Sequence, residues 1–134
     1  MSLMPLFVFG TLRRGHSNHH YLQGRFERCE LARVEGFRRG VAGHGFPAAL
    51  PATGETIDGE LFWIAVDQFD AVLRDIDQLE DLPADALVGP YYRRAKVLAL
   101  WRDGAVTAWA YVAPETPVDV DHHVIPPSGP VTTA

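Results

Sequence analysis

Apolar and polar positions along the chain fall into three kinds of block. Pro5 to Phe9 is a short apolar run closed by Gly10, which predicts a short buried strand. "HSNHHYL", His16 to Leu22, predicts one helical turn capped by Ser17 or Asn18. "FERCELARVEGFRR" partly alternates and predicts a strand with a break at Gly36. "GVAGHGFPAAL" is punctuated by glycines and Pro47, and so predicts a loop followed by a short extended piece. "IDGELFWIAV", Ile57 to Val66, is nearly all apolar after Glu60, as expected of a strand covered on both faces. The period then changes. Phe69, Val72, Leu73, Ile76 and Leu79 recur at three and four residues and predict an amphipathic helix over 67–80, with Asp67 as its N-cap. "YYRRAKVLALW" and "AVTAWAYV" flank "RDG", which predicts a hairpin turning at Asp103-Gly104, both residues tolerating positive φ.

These elements make an α+β fold in which a small mixed sheet closes into a barrel, carrying one main helix and short helical turns. Strands apolar on both faces favour closure over an open, one-sided sheet. The domain is expected over 5–113. A tail over 114–134, with prolines at 114, 117, 126, 127 and 130, is expected to wrap the surface or move. A chain of 134 residues that is 47% hydrophobic fits one domain with a packed core.

Charge and cysteine usage narrow the chemistry. Twelve basic and seventeen acidic side chains give a net charge of -5, which argues against nucleic acid or an anionic membrane as partner. A local arginine cluster still suits one small anion. Cys29 is the only cysteine, so the chain has neither an internal disulfide nor a thiolate cluster, and a reducing cytoplasm is the expected setting. Cys29 itself reads as a buried, inert thiol. The opening "MSLMPLFVFG" has no basic leader, and its apolar run is too short to span a bilayer.

One carboxylate is out of place on the predicted helix. With Ile76 at the centre of the apolar stripe and 100° per residue, Glu80 falls at about 40°, inside the stripe. Asp70, Asp75 and Asp81 lie roughly 100° or more away, and Asp77 sits at the edge. Two readings stay open. Either the helix has frayed by Glu80 and the carboxylate reaches water, or Glu80 floors an apolar pocket, where desolvation raises its pKa toward neutral-pH proton transfer. The crowded turn "GTLRRGHSNHH" is likewise an anion cradle, a metal site or an ordinary polar turn. His16 and His20, four apart, would share a helix face, with His19 and His44 nearby, but no acidic groups accompany them. "GTLRRG" lacks the Gly-Lys-Ser/Thr ending of a phosphate loop.

Taken in order, the motifs resemble the gamma-glutamylcyclotransferase-like family. "FVFGTLRRGHSNH" is similar to its strand-loop signature, usually a tyrosine followed by Gly-Thr-Leu and a basic pair. "FPAAL" resembles its aromatic-Pro-Ala segment. "GELFWIAVDQFDAVLRDIDQLE" resembles its Gly-Glu-Leu/Val-Tyr strand and the helix ending Leu-Asp-x-x-Glu, and "YYRRAKV" its Tyr-x-Arg-x-x-Val strand. The resemblance runs from Leu6 to about Val112. It implies a small mixed barrel with a pocket at one mouth, and no metal or organic cofactor. It also implies attack of a gamma-glutamyl compound's α-amine on its own γ-amide carbonyl, releasing 5-oxoproline and an amine or amino acid.

Within the resemblance, the family's catalytic glutamate maps onto Glu80. The backbone of Gly10, Thr11 and Leu12 would cradle the substrate's α-carboxylate, with Phe9 as aromatic wall and Arg13 as added charge or a solvated surface group. Tyr92 would line the pocket opposite the helix, or serve only as an aromatic in the barrel wall. Pro47 would shape a pocket edge through its fixed φ. Phe9 departs from the family's usual tyrosine, and "PSGPVTTA" departs from its usual ending. The expected partner is a small gamma-glutamyl substrate, with the chain a monomer or a homodimer. The rival expectation is a non-catalytic domain of the same fold that binds a carboxylate-containing small molecule.

Overall fold

The computed structural model describes residues 3–41, 45 and 47–116. The tail from 117 on, with His122 and His123, lies outside the described residues, as do His44 and Phe46. Five strands appear among the described residues: β1 (Leu6–Val8), β2 (Phe26–Val41), β3 (Pro47–Ile64), β4 (Arg93–Trp101) and β5 (Gly104–Val112). They close into a barrel in the order β1-β3-β2-β4-β5. All neighbours are antiparallel except β1 and β5, which meet in parallel at Leu6 and Trp109. The helix α1 (Phe69–Leu79) follows β3, and 3₁₀ turns stand at His19–Tyr21 and Val66–Gln68. This is the α+β barrel expected from the sequence.

Alternation along the strands divides the apolar residues between two cores. Phe7, Val34, Phe37, Ile57, Leu61 and Val97 fill the barrel with Ala95, Ala99, Ala108 and Ala110, whose small side chains suit a narrow interior. Leu6, Val8, Phe62 and Ile64 point the other way and pack under Val72, Leu73 and Ile76 of α1. Strands with apolar residues on both faces are thus explained: one face lines the barrel and the other carries the helix.

Four local expectations are corrected. The extended piece at "PAAL" and the strand at "IDGELFW" are one strand, β3, because both stretches pair with β2, one on each side of a register shift. Opposite Gly36 (φ 89°) the register jumps from Glu35–Thr56 to Phe37–Pro51, so the expected break is a bulge inside a continuous strand. Asp67 does not cap α1. Gln68 takes the N-cap position without a side-chain cap bond, and its Oε1 accepts from Arg25 Nε at 3.3 Å instead. The preceding 3₁₀ turn fixes the helix entry, with the Gln68 N–H donating to Ala65 O at 2.9 Å. At the β4–β5 hairpin the connecting residues are Arg102 and Asp103, and only Gly104 has positive φ (125°).

Gly59 sets the spacing between β1 and β3. A Cβ there would lie 2.3 Å from the Val8 carbonyl oxygen and 2.8 Å from the Phe7 ring. Neither neighbour has room to yield, since Phe7 and Val8 are both buried. Gly59→Ala is therefore expected to destabilise the fold by about 3 kcal/mol or more in denaturant unfolding; a loss below about 1 kcal/mol would show that β1 can shift.

Candidate active site

The C-terminal turn of α1 is closed rather than frayed. Asp81 adopts the left-handed conformation (φ 61°). Its N–H donates to Gln78 O at 3.1 Å, and the Leu82 N–H reaches back to Asp77 O at 2.9 Å. This paired closure is a Schellman motif, completed by burial of Leu82 in the same cluster as Ile76. Glu80 occupies the C-cap between these bonds, and its own N–H donates to Ile76 O at 2.9 Å. Asp77, one turn earlier, ties the helix end to the barrel. Its carboxylate accepts from Arg94 Nε and Nη2 at 2.9 and 3.0 Å and from the Tyr111 hydroxyl at 2.5 Å. The Arg94 guanidinium also lies 4.5 Å over the Trp109 ring. This bidentate pair was not foreseen; the helical wheel marked Asp77 only as a residue at the stripe's edge.

Glu80 is half-buried, and its carboxylate meets no hydrogen-bond donor among the described residues. Its pKa is pushed up to about 7 from the usual 4.5, first by burial and then by the neighbouring Asp81 charge. Of the two sequence readings, fraying is overturned by the closed turn, and the desolvated carboxyl stands. Tyr92 and Tyr111 stand close enough for the Glu80 charge to raise both phenols, after the larger effect of burial.

The loop after β1 is held by its carbonyls. Gly10 O accepts from the Arg13 N–H (3.2 Å) and Arg13 Nε (3.0 Å), Thr11 O from the Asn18 N–H (2.8 Å), and Leu12 O from the Nδ1–H of His19 (3.1 Å). Asn18 Nδ2 adds a bond to Thr11 Oγ1 at 2.8 Å. In a trans peptide the carbonyl and the following N–H point opposite ways. Tying down the carbonyls of Gly10 and Thr11 therefore turns the N–H groups of Thr11 and Leu12 to the other side. Among the described residues the N–H groups of Gly10, Thr11 and Leu12 meet no acceptor. Glu60 clamps the far end of the loop: buried on β3, it accepts from the Arg14 N–H at 2.9 Å and from Arg14 Nε at 3.2 Å.

Acid and loop face one cavity of about 310 Å³, lined by Phe9, Gly10, Thr11, Leu12, Pro47, Glu80 and Tyr92 together with Phe7, Val8, Arg39, Gly40, Ala48 and Tyr111. The volume lies at the small end of the range for ligand pockets. Seven of the eight residues nominated from sequence line it. Arg13 does not, because its side chain folds onto the loop it follows. The Pro47 carbonyl accepts from the Tyr92 hydroxyl at 2.7 Å, joining the mouth of β3 to the segment before β4. Arg39 and Tyr111 were missed, since each sits in a strand whose pattern says nothing about a cavity at its end. A larger, open cleft of about 770 Å³ runs along the outer side of α1, where the Asp77 and Arg94 charges already satisfy each other.

His19 and His20 serve the loop rather than a cluster. His19 holds Leu12, and His20 Nδ1 lies 3.2 Å from Ser17 O. No three His, Cys, Asp or Glu side chains among the described residues are gathered as metal ligands would be. Cys29 is half-buried, and burial followed by the Glu60 charge pushes its thiol up to about 11, which disfavours a thiolate. No helix among the described residues is long and apolar enough to cross a membrane.

The barrel with its mouth pocket matches a known class. The model of the family described as "Gamma-glutamyl cyclotransferase, AIG2-like" matches residues 6–130, and the chain belongs to that family as a gamma-glutamylcyclotransferase-like enzyme. Over 119 residues it is 31% identical to a Drosophila melanogaster protein carrying the provisional name of a gamma-glutamylcyclotransferase, covering 80% of this chain and 68% of that one. It is 34% identical over 87 residues to the Homo sapiens gamma-glutamylaminecyclotransferase, covering 59% of this chain and 54% of the human protein. The crystal structure of YkqA from Bacillus subtilis superposes with a TM-score of 0.62 at 25% identity, over 84% of this chain and 36% of YkqA.

Two measurements follow from the Glu80 environment. The folded protein keeps the Glu80 proton to about pH 7, whereas the unfolded chain releases it near 4.5. The carboxyl's contribution to stability is therefore greatest below pH 4.5 and declines as pH rises to about 7. Relative to Glu80→Gln, the wild type is expected to lose about 1–3 kcal/mol between pH 4.5 and 8. Parallel stability curves would place Glu80 in water. Asp81→Asn keeps the left-handed turn accessible while removing the neighbouring charge, so the Glu80 carboxyl should titrate at lower pH by carbon NMR. An unchanged titration would assign the whole shift to burial.

Proposed function

We propose that the enzyme cleaves a gamma-glutamyl amide by intramolecular cyclisation, releasing 5-oxoproline, with Glu80 as general acid and base. The observation that carries this reading is a desolvated carboxyl, unpaired among the described residues, that shares one small cavity with Gly10, Thr11 and Leu12, whose N–H groups meet no acceptor among those residues. A protein that only binds an anion gains nothing from such a carboxyl, whereas a proton shuttle at neutral pH needs a pKa near 7.

Glu80 as carboxylate takes a proton from the substrate's α-ammonium and frees the nitrogen lone pair. The nitrogen attacks the γ-carbonyl carbon, and the N–H groups of Gly10, Thr11 and Leu12 receive the α-carboxylate and the oxygen that gains charge. As the bond to the departing nitrogen breaks, Glu80 returns the proton. The ring nitrogen keeps one of its three hydrogens, and the other two leave on the departing amine as an ammonium, so charge is conserved. Closure of a five-membered ring within one molecule depends mainly on holding the bent conformer. Phe9, Pro47 and Tyr92 form the walls that would hold it. Support for the substrate class comes from the family and from the names of the relatives. A reducing, cytoplasmic setting fits a lone cysteine.

Glu80→Gln is expected to lower 5-oxoproline release by at least about 100-fold while ligand binding, read by calorimetry, and folding persist. In the wild type kcat/KM should fall as pH drops through about 7, following protonation of the carboxylate. Near wild-type turnover in the variant removes Glu80 from the mechanism. Tight binding of a gamma-glutamyl compound with no turnover by the wild type favours the non-catalytic domain.

A further inference from the structure

We infer that Arg39 selects substrates whose departing amine carries a carboxylate, that is, gamma-glutamyl amino acids over gamma-glutamyl amines. The inference rests on the cyclotransferase reading above and concerns the half of the substrate that leaves.

Arg39 lies on β2 beyond the Gly36 bulge, where the β2–β3 ribbon forms the cavity's edge through Gly40, Pro47 and Ala48. Its guanidinium sits 5.6 Å over the ring of Phe9, another wall residue, and Nη2 donates to Asp58 O at 3.2 Å. A guanidinium has five N–H donors, so the bond to Asp58 leaves others for a guest. Among the described residues no carboxylate lies within ion-pair distance of Arg39 or Arg13. Burial first, and then repulsion from Arg13, pull the Arg39 pKa down, and Asp58 offsets this only in part. Among the described residues the edge of the cavity is thus a positive site that Asp58 offsets only in part and no carboxylate pairs directly.

That charge is separate from the acid. Glu80 is governed by burial and Asp81, and neither arginine draws its pKa down. The substrate's α-carboxylate shares a carbon with the ammonium that Glu80 must reach, so it belongs beside Glu80 and the loop amides. When the α-nitrogen folds onto the γ-carbonyl, the departing group extends away from the new ring. A carboxylate on that group is the second anion such a substrate carries, and Arg39 is the lining residue with a charge to meet it.

The test uses γ-glutamyl-alanine and γ-glutamyl-ethylamine, which differ only in the carboxylate on the departing amine. The wild type is expected to favour the alanine compound by about 10- to 100-fold in kcat/KM, the range for a charge-assisted hydrogen bond. Arg39→Met should collapse that ratio toward one, and Arg39→Lys should restore part of it. No preference in the wild type, or equal losses on both compounds that leave the ratio intact, would overturn the inference. If the wild type releases 5-oxoproline from neither compound, the cyclotransferase reading falls and takes the inference with it.

Discussion

The site depends on a helix end that is not free to open. Glu80 is the last residue before the chain reverses at Asp81, and terminal turns of helices ordinarily fray into solvent. Here the 6→1 and 5→2 bonds to Asp77 and Gln78 close the turn, and Leu82 seals it against Ile76. Asp77 then fastens that turn to β4 and β5 through Arg94 and Tyr111. Removing one partner of a half-buried bidentate pair is costly, because the other charge is left without compensation. This pinning keeps a carboxyl whose ionisation is disfavoured from relaxing into water.

A second constraint supplies the opposite wall. Gly59 lets β1 approach β3 closely, and Glu60, the next residue, holds Arg14 at the end of the loop that β1 feeds. The loop's carbonyls are used by Arg13, Asn18 and His19, while the N–H groups of Gly10, Thr11 and Leu12 meet no acceptor among the described residues. Two glutamates on adjoining elements therefore have unlike tasks. Glu60 is buried but bonded to a cation and a backbone N–H, and acts as a fastener. Glu80 is half-buried with no hydrogen-bond partner among the described residues, and its proton becomes exchangeable near neutral pH.

Much of this was legible from residue order. The period of Phe69, Val72, Leu73 and Ile76 gave the helix and nominated Glu80 against its acidic neighbours. The punctuation at Gly10 and Asp103-Gly104 marked the turns to within about one residue, and Gly36 marked a bulge where a break was expected. The residues that misled are those whose side chains were claimed by distant partners. Gln68 rather than Asp67 stands at the helix entry, where Arg25 engages its side chain, and Arg13 turns back onto Gly10 instead of into the cavity. The strand pairing that merges "PAAL" with "IDGELFW" is a contact across β2 that neither segment's own pattern contains.

By itself the sequence determined which faces are apolar, where the chain can turn, and that one acid lies among the residues destined for the core. These are properties of period and local conformation, set by neighbours within about four positions. Only the tertiary structure decided that this acid would be half-buried, that a loop 70 residues earlier would line the same cavity, and that Arg39 would stand at its edge with no ion-paired carboxylate among the described residues. Desolvation and unmatched charge depend on everything packed around a group, and barrel closure brings those surroundings together from strands far apart in the chain.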